Sequence, residues 1–167
     1  MHKKTLQWVF DTVVISNFVF ADSLALLEKR YTAKGFLTHE VYGELLVGIE
    51  RHPELKRVDI LFSNDTFKLS SLSRQEMAYY QKLLVFLDLG EASTIAYAQN
   101  HNCIVVTDDR AARNQCTDIN IPVTGTIGIL KACVQDSIID PKQADSILDR
   151  MMAEGFYSPV RNISDIL

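Results

Sequence analysis

CIVVTDDRAARNQC, residues 103–116, passes from strand to helix across two adjacent aspartates. Ile104, Val105 and Val106 are β-branched and apolar, as in a strand buried on both faces of a parallel sheet. Arg110 to Cys116 has the composition of a short helix. Asp108 and Asp109 repel each other where strand becomes helix, so their position calls for a role. In open sheets of parallel strands, ligands bind beyond the carboxyl ends.

The same arrangement occurs at the start of the chain, where "QWVFDT" (7–12) reads as a buried strand ending at Asp11. "SNFVFADSLALLEKRY" (16–31) has helical spacing and a basic end, and Gly35 closes it. "GFL" (35–37) fits a second strand. Thr38 is placed to cap a helix over "HEVYGELLVGIERH" (39–52), which Pro53 stops. "DTFKLSSL" (65–72) is extended. Ser73 and Glu76 form a capping-box pattern opening a long helix that Gly90 ends, and "GEASTIAYAQNH" (90–101) begins the next. Beyond residue 116, "IPVT" (121–124) reads as a last strand and "GTIGILKACVQD" (125–136) as a helix. "DPKQADSILDRMMAEGF" (140–156) is a further helix with Pro141 in its first turn, and the tail closes as a packed turn. Strands alternating with helices imply an α/β fold: a three-layer α/β/α sandwich with a central, mostly parallel sheet. The length suits one domain over 1–167, with the helices from about residue 140 packed on it.

Composition narrows the class. Hydrophobic residues at 47% and charged residues at 23% are ordinary for a globular protein. No apolar run reaches the ~20 residues that span a bilayer, and the basic start is not followed by a secretory apolar core. A cytoplasmic location with no membrane partner is expected. Cys103, Cys116 and Cys133 are odd in number and widely spaced. They read as reduced thiols, not as a disulfide frame or zinc site. A net charge of −4 argues mildly against nucleic-acid binding. Acids gathered in one site would, however, leave the remaining surface close to neutral.

Four places supply carboxylates to such a site: Asp11, Glu44 inside "VYGELL", Glu91 in the first turn of "GEASTIAYA", and Asp108–Asp109. Two of them have a plainer explanation. Glu91 suits a helix N-terminus, and Glu44 suits a solvated helix face. Asp11, between Phe10 and Val13-Val14-Ile15, is harder to explain as structure, because an apolar setting penalises an unpaired charge. Two such charges ~4 Å apart repel by roughly 4 kcal/mol at an effective dielectric near 20. A cluster therefore takes up protons or a cation. Oxygen donors without sulfur or imidazole select hard ions, Mg²⁺ or Mn²⁺, which suits phosphoryl chemistry. No EF-hand spacing is present. A haloacid-dehalogenase-type phosphatase needs a second aspartate where Val13 stands, and a receiver domain has its acid pair on the first strand.

In order, Asp11-Thr12, "EVYGEL", "LGEASTIAYA", "VVTDDRAAR" and "TGTIGIL" resemble a PIN domain, within a subgroup described as predicted nucleic-acid-binding proteins. The resemblance covers most of the chain. It implies a metal-dependent nuclease, commonly an endoribonuclease leaving a 5′-phosphate, and in many members the toxin of a toxin–antitoxin pair. It makes Asp11, Glu44, Glu91 and Asp109 the catalytic carboxylates, with Glu40 in place of Glu44 if the register shifts by a turn. Asp11, Glu91, Asp108 and Asp109 become the ligands of Mg²⁺ or Mn²⁺. Thr12 and Thr107 become hydroxyls that orient ligand carboxylates. Arg110 and Arg113 lie beside the site and could touch the RNA backbone or pair with a nearby acid; Lys3, Lys4 and Lys34 could extend a basic approach. RNA, an antitoxin protein and a second copy in a homodimer are the implied partners. The chain departs from the family at Val13-Val14-Ile15, where many relatives begin with a small polar residue, and in having Glu as the third acid. Gly125 and Gly128 lack the pattern of a phosphate loop and fit tight strand-to-helix packing, with Thr126 near the cap. Tyr79, Tyr80 and Phe86 fit core or dimer contacts. The alternative left open is a non-catalytic PIN-like module that binds RNA or a protein.

Overall fold

The computed structural model describes residues 5–167. Five short strands form one sheet: β1 (Gln7–Phe10), β2 (Gly35–Thr38), β3 (Phe67–Ser70), β4 (Cys103–Val106) and β5 (Val123–Thr124). Their spatial order is β3-β2-β1-β4-β5, and every neighbouring pair is parallel. β1 lies in the centre with Phe10 opposite Val106. The residues that follow β1 and β4 therefore leave the same edge side by side. Asp11 N donates to Val106 O at 2.9 Å, and Thr107 N donates to Thr124 O at 2.9 Å.

Alternation along each strand builds two cores. Phe10, Leu37 and Val106 face one way, towards α1 (Thr12–Phe20), α2 (Leu24–Tyr31), α3 (His39–Gly48), α8 (Thr126–Gln135) and α9 (Pro141–Ala153). Val9, Phe36 and Val105 face the other way, towards α5 (Arg74–Leu83), α6 (Leu89–Gln99) and α7 (Arg110–Asp118). This is the expected three-layer α/β/α sandwich. The helix expected over 39–52 ends at Gly48, before Pro53; Pro53 instead opens a 3₁₀ segment, Pro53–Asp59, that leads into the short α4 (Ile60–Ser63). The tail forms a 3₁₀ turn, Ile163–Ile166, held where Lys131 Nζ donates to Ile166 O at 2.6 Å.

Two boundaries besides the end of α3 differ from the sequence reading. The helix expected over 16–31 is two helices, with the chain turning at Asp22 (φ 51°). Ser23 N reaches back to Phe18 O at 2.8 Å, a helix-ending bond. The turn lets Tyr31 pack edge-on against Phe10, ring centroids 5.0 Å apart, a long-range contact that periodicity does not reveal. The second difference is at Gly90, which lies in the first turn of α6 and not at the end of the preceding helix. The α5 capping box is present: Glu76 Oε2 accepts from Ser73 N at 2.7 Å and Ser73 Oγ accepts from Glu76 N at 3.2 Å. That helix stops at Leu83, well short of Gly90. The three cysteines are free and buried, and burial pushes their thiols up, Cys103 to about 12 and Cys116 and Cys133 to about 11. Among the described residues, no helix is long and apolar enough to cross a membrane.

Candidate active site

Asp11 terminates β1 and caps α1, and it is only 2% exposed. Its Oδ1 accepts from Thr12 N at 2.7 Å and its Oδ2 from Thr107 Oγ1 at 3.0 Å. Burial pushes its pKa up to about 7, against the two hydrogen bonds, and the nearby Glu91 and Glu44 push the same way. Glu44 reaches the same place from α3. Its Oε1 accepts from Gly90 N at 2.9 Å, and its Oε2 accepts a short hydrogen bond from Thr12 Oγ1. Glu44 makes these bonds; Glu40, one turn earlier, does not.

Gly90 permits the convergence. A Cβ there would lie 2.5 Å from Glu44 Oε2, 3.0 Å from Thr12 Oγ1 and 3.2 Å from Asp11 Oδ1. Only glycine lets the first turn of α6 close over these oxygens. Glu91 follows it, with Oε2 accepting from Asp88 N at 3.2 Å. Burial raises the Glu91 carboxyl first, and Asp109, Asp88 and Glu44 add to the effect against that one hydrogen bond. Asp109 caps α7, its Oδ1 accepting from Ala112 N at 2.7 Å. Its own N–H donates to Thr107 Oγ1 at 3.2 Å. One hydroxyl, that of Thr107, therefore ties Asp11 to Asp109.

Asp108 turns away to α8. Its Oδ1 accepts from Thr126 N at 2.9 Å, and its Oδ2 from Thr126 Oγ1 at 2.5 Å and Asn17 Nδ2 at 3.3 Å. Gly125 makes room for it, since a Cβ there would stand 2.3 Å from Asp108 Oδ1. Arg113 donates from Nη1 to Thr107 O at 2.9 Å, while Arg110 is exposed. Lys34 precedes β2 and so sits at the amino edge of the sheet, away from these acids. Lys3 and Lys4 lie outside the described residues. The sequence reading missed Asn17 as an Asp108 partner and Gly90 as the floor of the acidic site. A polar Asn beside buried Phe18 was the available signal for the first, and the glycine directly before Glu91 in "LGEASTIAYA" for the second.

Among the described residues, no ion pair involves Asp11, Glu44, Glu91 or Asp109. The charges of Glu91 and Glu44 nonetheless add to the raised proton affinity of Asp11, and those of Asp109 and Glu44 to that of Glu91. Such an all-oxygen, under-neutralised group fits a hard divalent cation. As the side chains stand, no three His, Cys, Asp or Glu groups among the described residues converge tightly enough to hold a metal ion. The oxygens are held instead by N–H and O–H donors.

A family model for the PIN domain matches residues 7–167. No curated protein matches the chain. Among solved structures, one chain of a toxin–antitoxin complex from Klebsiella pneumoniae is 21% identical with a TM-score of 0.48, covering 62% of this chain and 87% of that one. One chain of VapBC2 from Rickettsia felis, bound to a DNA fragment from their promoter, is 17% identical with a TM-score of 0.48, covering 72% and 98%.

Proposed function

The chain belongs to the PIN-domain family, and from that premise we propose that it is a metal-dependent nuclease, an endoribonuclease that hydrolyses RNA phosphodiesters. The observation that carries this reading is the buried Asp11 carboxylate, raised to about 7 beside Glu44 and Glu91 with no basic side chain among the described residues paired to it. Asp11, Glu91 and Asp109 would hold Mg²⁺ or Mn²⁺, with Glu44 completing the acidic wall. A divalent ion bound there supplies a more acidic water and neutralises phosphate charge.

The chain's own residues set the geometry. Thr107 fixes one oxygen of Asp11 and the backbone of Asp109, and Thr12 fixes Glu44. Hydroxyls placed in this way orient the carboxylates and hold them charged towards a cation. Asp108, committed to Thr126 and Asn17, anchors α8 and leaves the metal to Asp109. Arg113, steadied by Thr107 O, and the exposed Arg110 offer cations to the RNA backbone. On the same reading the chain is the toxin of a toxin–antitoxin pair, with an antitoxin protein as partner. The exposed Val85, Phe86 and Leu89 offer an apolar face for a homodimer.

A second reading, a PIN-like module that binds RNA without cutting it, draws on the absence of a ready three-carboxylate cluster among the described residues. One experiment separates the two. Purified protein is incubated with a panel of RNAs and Mg²⁺ or Mn²⁺, alongside Asp11→Asn. Metal-dependent cleavage by the wild type, abolished in the variant, is the expected result. Binding without cleavage under every metal condition supports the second reading, and equal cleavage by both proteins refutes the site.

A further inference from the structure

A cavity of about 370 Å³ opens beside the acidic site, on the rim formed by the carboxyl ends of β4 and β5. Asp108 and Arg113 stand on one side, Gly125 on the sheet edge, and Phe156, Tyr157 and Pro159 on the other. Its size is within the range of small-molecule sites, roughly 300–1,000 Å³. Three features distinguish it from an accidental groove.

The first is the aromatic wall. Tyr157 is 92% exposed, yet it lines the cavity. Its loop is well fixed. Gly155 takes φ +103°, a conformation that L side chains rarely adopt, and ends α9. Phe156 N then donates to Met151 O at 2.9 Å, and Ser158 Oγ both donates to Val160 O at 2.6 Å and accepts from Val160 N at 3.2 Å. The fold thus holds an aromatic ring out in water on a rigid loop, where it adds little to the core. The second feature is the cation. Arg113 has no ion-pair partner among the described residues, and its Nη1 bond to Thr107 O fixes the guanidinium at the cavity wall. The charge of Asp108, by contrast, is spread over Thr126 and Asn17. The third is position: Arg113 lies one turn along α7 from Asp109, its cap, so the cavity and the acidic site share an edge of the sheet.

We infer that this cavity is a nucleotide subsite, in which a base of the bound single strand stacks on Tyr157 while Arg113 meets the adjoining phosphate. A flat ring and a fixed cation lining one cavity match a nucleotide, which presents a π-face and an anion. The inference rests on the nuclease reading for its substrate class. It assigns to the loop after α9 a share in choosing which strand is cut.

The test uses the full chain with Tyr157→Ala and Tyr157→Phe, on substitution-free and Asp11→Asn backgrounds. Binding of short single-stranded RNAs is read by fluorescence anisotropy on the Asp11→Asn background, and cleavage kinetics on the other. Because Tyr157 is exposed, neither change disturbs the core. Tyr157→Ala is expected to weaken binding at least about fivefold, the lower end of what one stacked base contributes. It should raise KM by a similar factor and leave kcat unchanged, while Tyr157→Phe stays close to the parent. Unchanged binding and KM in Tyr157→Ala overturn the subsite, as does failure of the parent to bind any RNA. Should the parent bind RNA through Tyr157 but never cut it, the subsite stands and the nuclease reading falls.

Discussion

Replacing Asp11 with Asn changes one buried carboxylate to a neutral amide of the same shape, and the consequence for stability depends on pH in a direction the structure sets. Asp11 has its pKa raised from 3.8 to about 7 in the folded chain, chiefly because burial strips water from the charge. The folded state therefore holds this proton more tightly than the unfolded state. Its favourable contribution is complete below the unfolded value, declines as pH rises through the interval, and is gone once pH passes about 7. At ~1.4 kcal/mol per unit, the metal-free wild type loses about 3 kcal/mol relative to Asp11→Asn between about pH 5 and pH 7 and above. Urea denaturation of both proteins in chelator, at steps across that range, measures the difference directly; Glu91 is present in both and largely cancels. Adding Mn²⁺ at about 100 times its Kd should then return ~2.7 kcal/mol to the wild type and nothing to the variant. Parallel stability–pH curves for the two proteins would refute the argument, since they would mean that Asp11 carries no desolvated charge.

Three further outcomes follow from named contacts. Thr12→Val removes the hydroxyl that Glu44 accepts from and should lower Mn²⁺ affinity or cleavage by roughly 10- to 100-fold while the far-ultraviolet circular dichroism is unchanged; calorimetric titration checks it. Gly90→Ala places a methyl 2.5 Å from Glu44 Oε2, so metal binding and cleavage should fall even though alanine favours a helix by about 1 kcal/mol; a variant that melts higher and still cleaves at the wild-type rate contradicts the close packing. Asp108→Asn and Asp109→Asn should divide: the first weakens the anchor of α8 and lowers stability by about 1–3 kcal/mol with Mn²⁺ affinity kept, and the second loses Mn²⁺ affinity, as paired melting curves and titrations would reveal.

Much of the architecture is legible because it rests on forces acting between near neighbours in the chain. The run Ile104 to Val106, the Ser73–Glu76 capping box and Pro141 in the first turn of α9 each state their structure locally, and the structure keeps all three. Where local signals mislead, a distant contact overrules them. Gly90 looks like a helix end because glycine often is one, but it is needed where a side chain would strike Glu44 and Asp11. Asp22 looks like one polar residue on a helix, but the chain turns there so that Tyr31 can reach Phe10.

By itself the sequence determined that acids would stand at the ends of parallel strands, since strand, turn and helix propensities act over a few residues and place Asp11, Asp108 and Asp109 at chain reversals. Tertiary structure alone decided how those acids divide their work. Thr107 joins Asp11 across 96 positions, Thr12 reaches Glu44 across 32, and Asp108 turns to Thr126 while its neighbour Asp109 stays at the cap of α7. Adjacent aspartates are chemically the same until the fold gives one of them a helix to anchor and the other a place beside buried like charge.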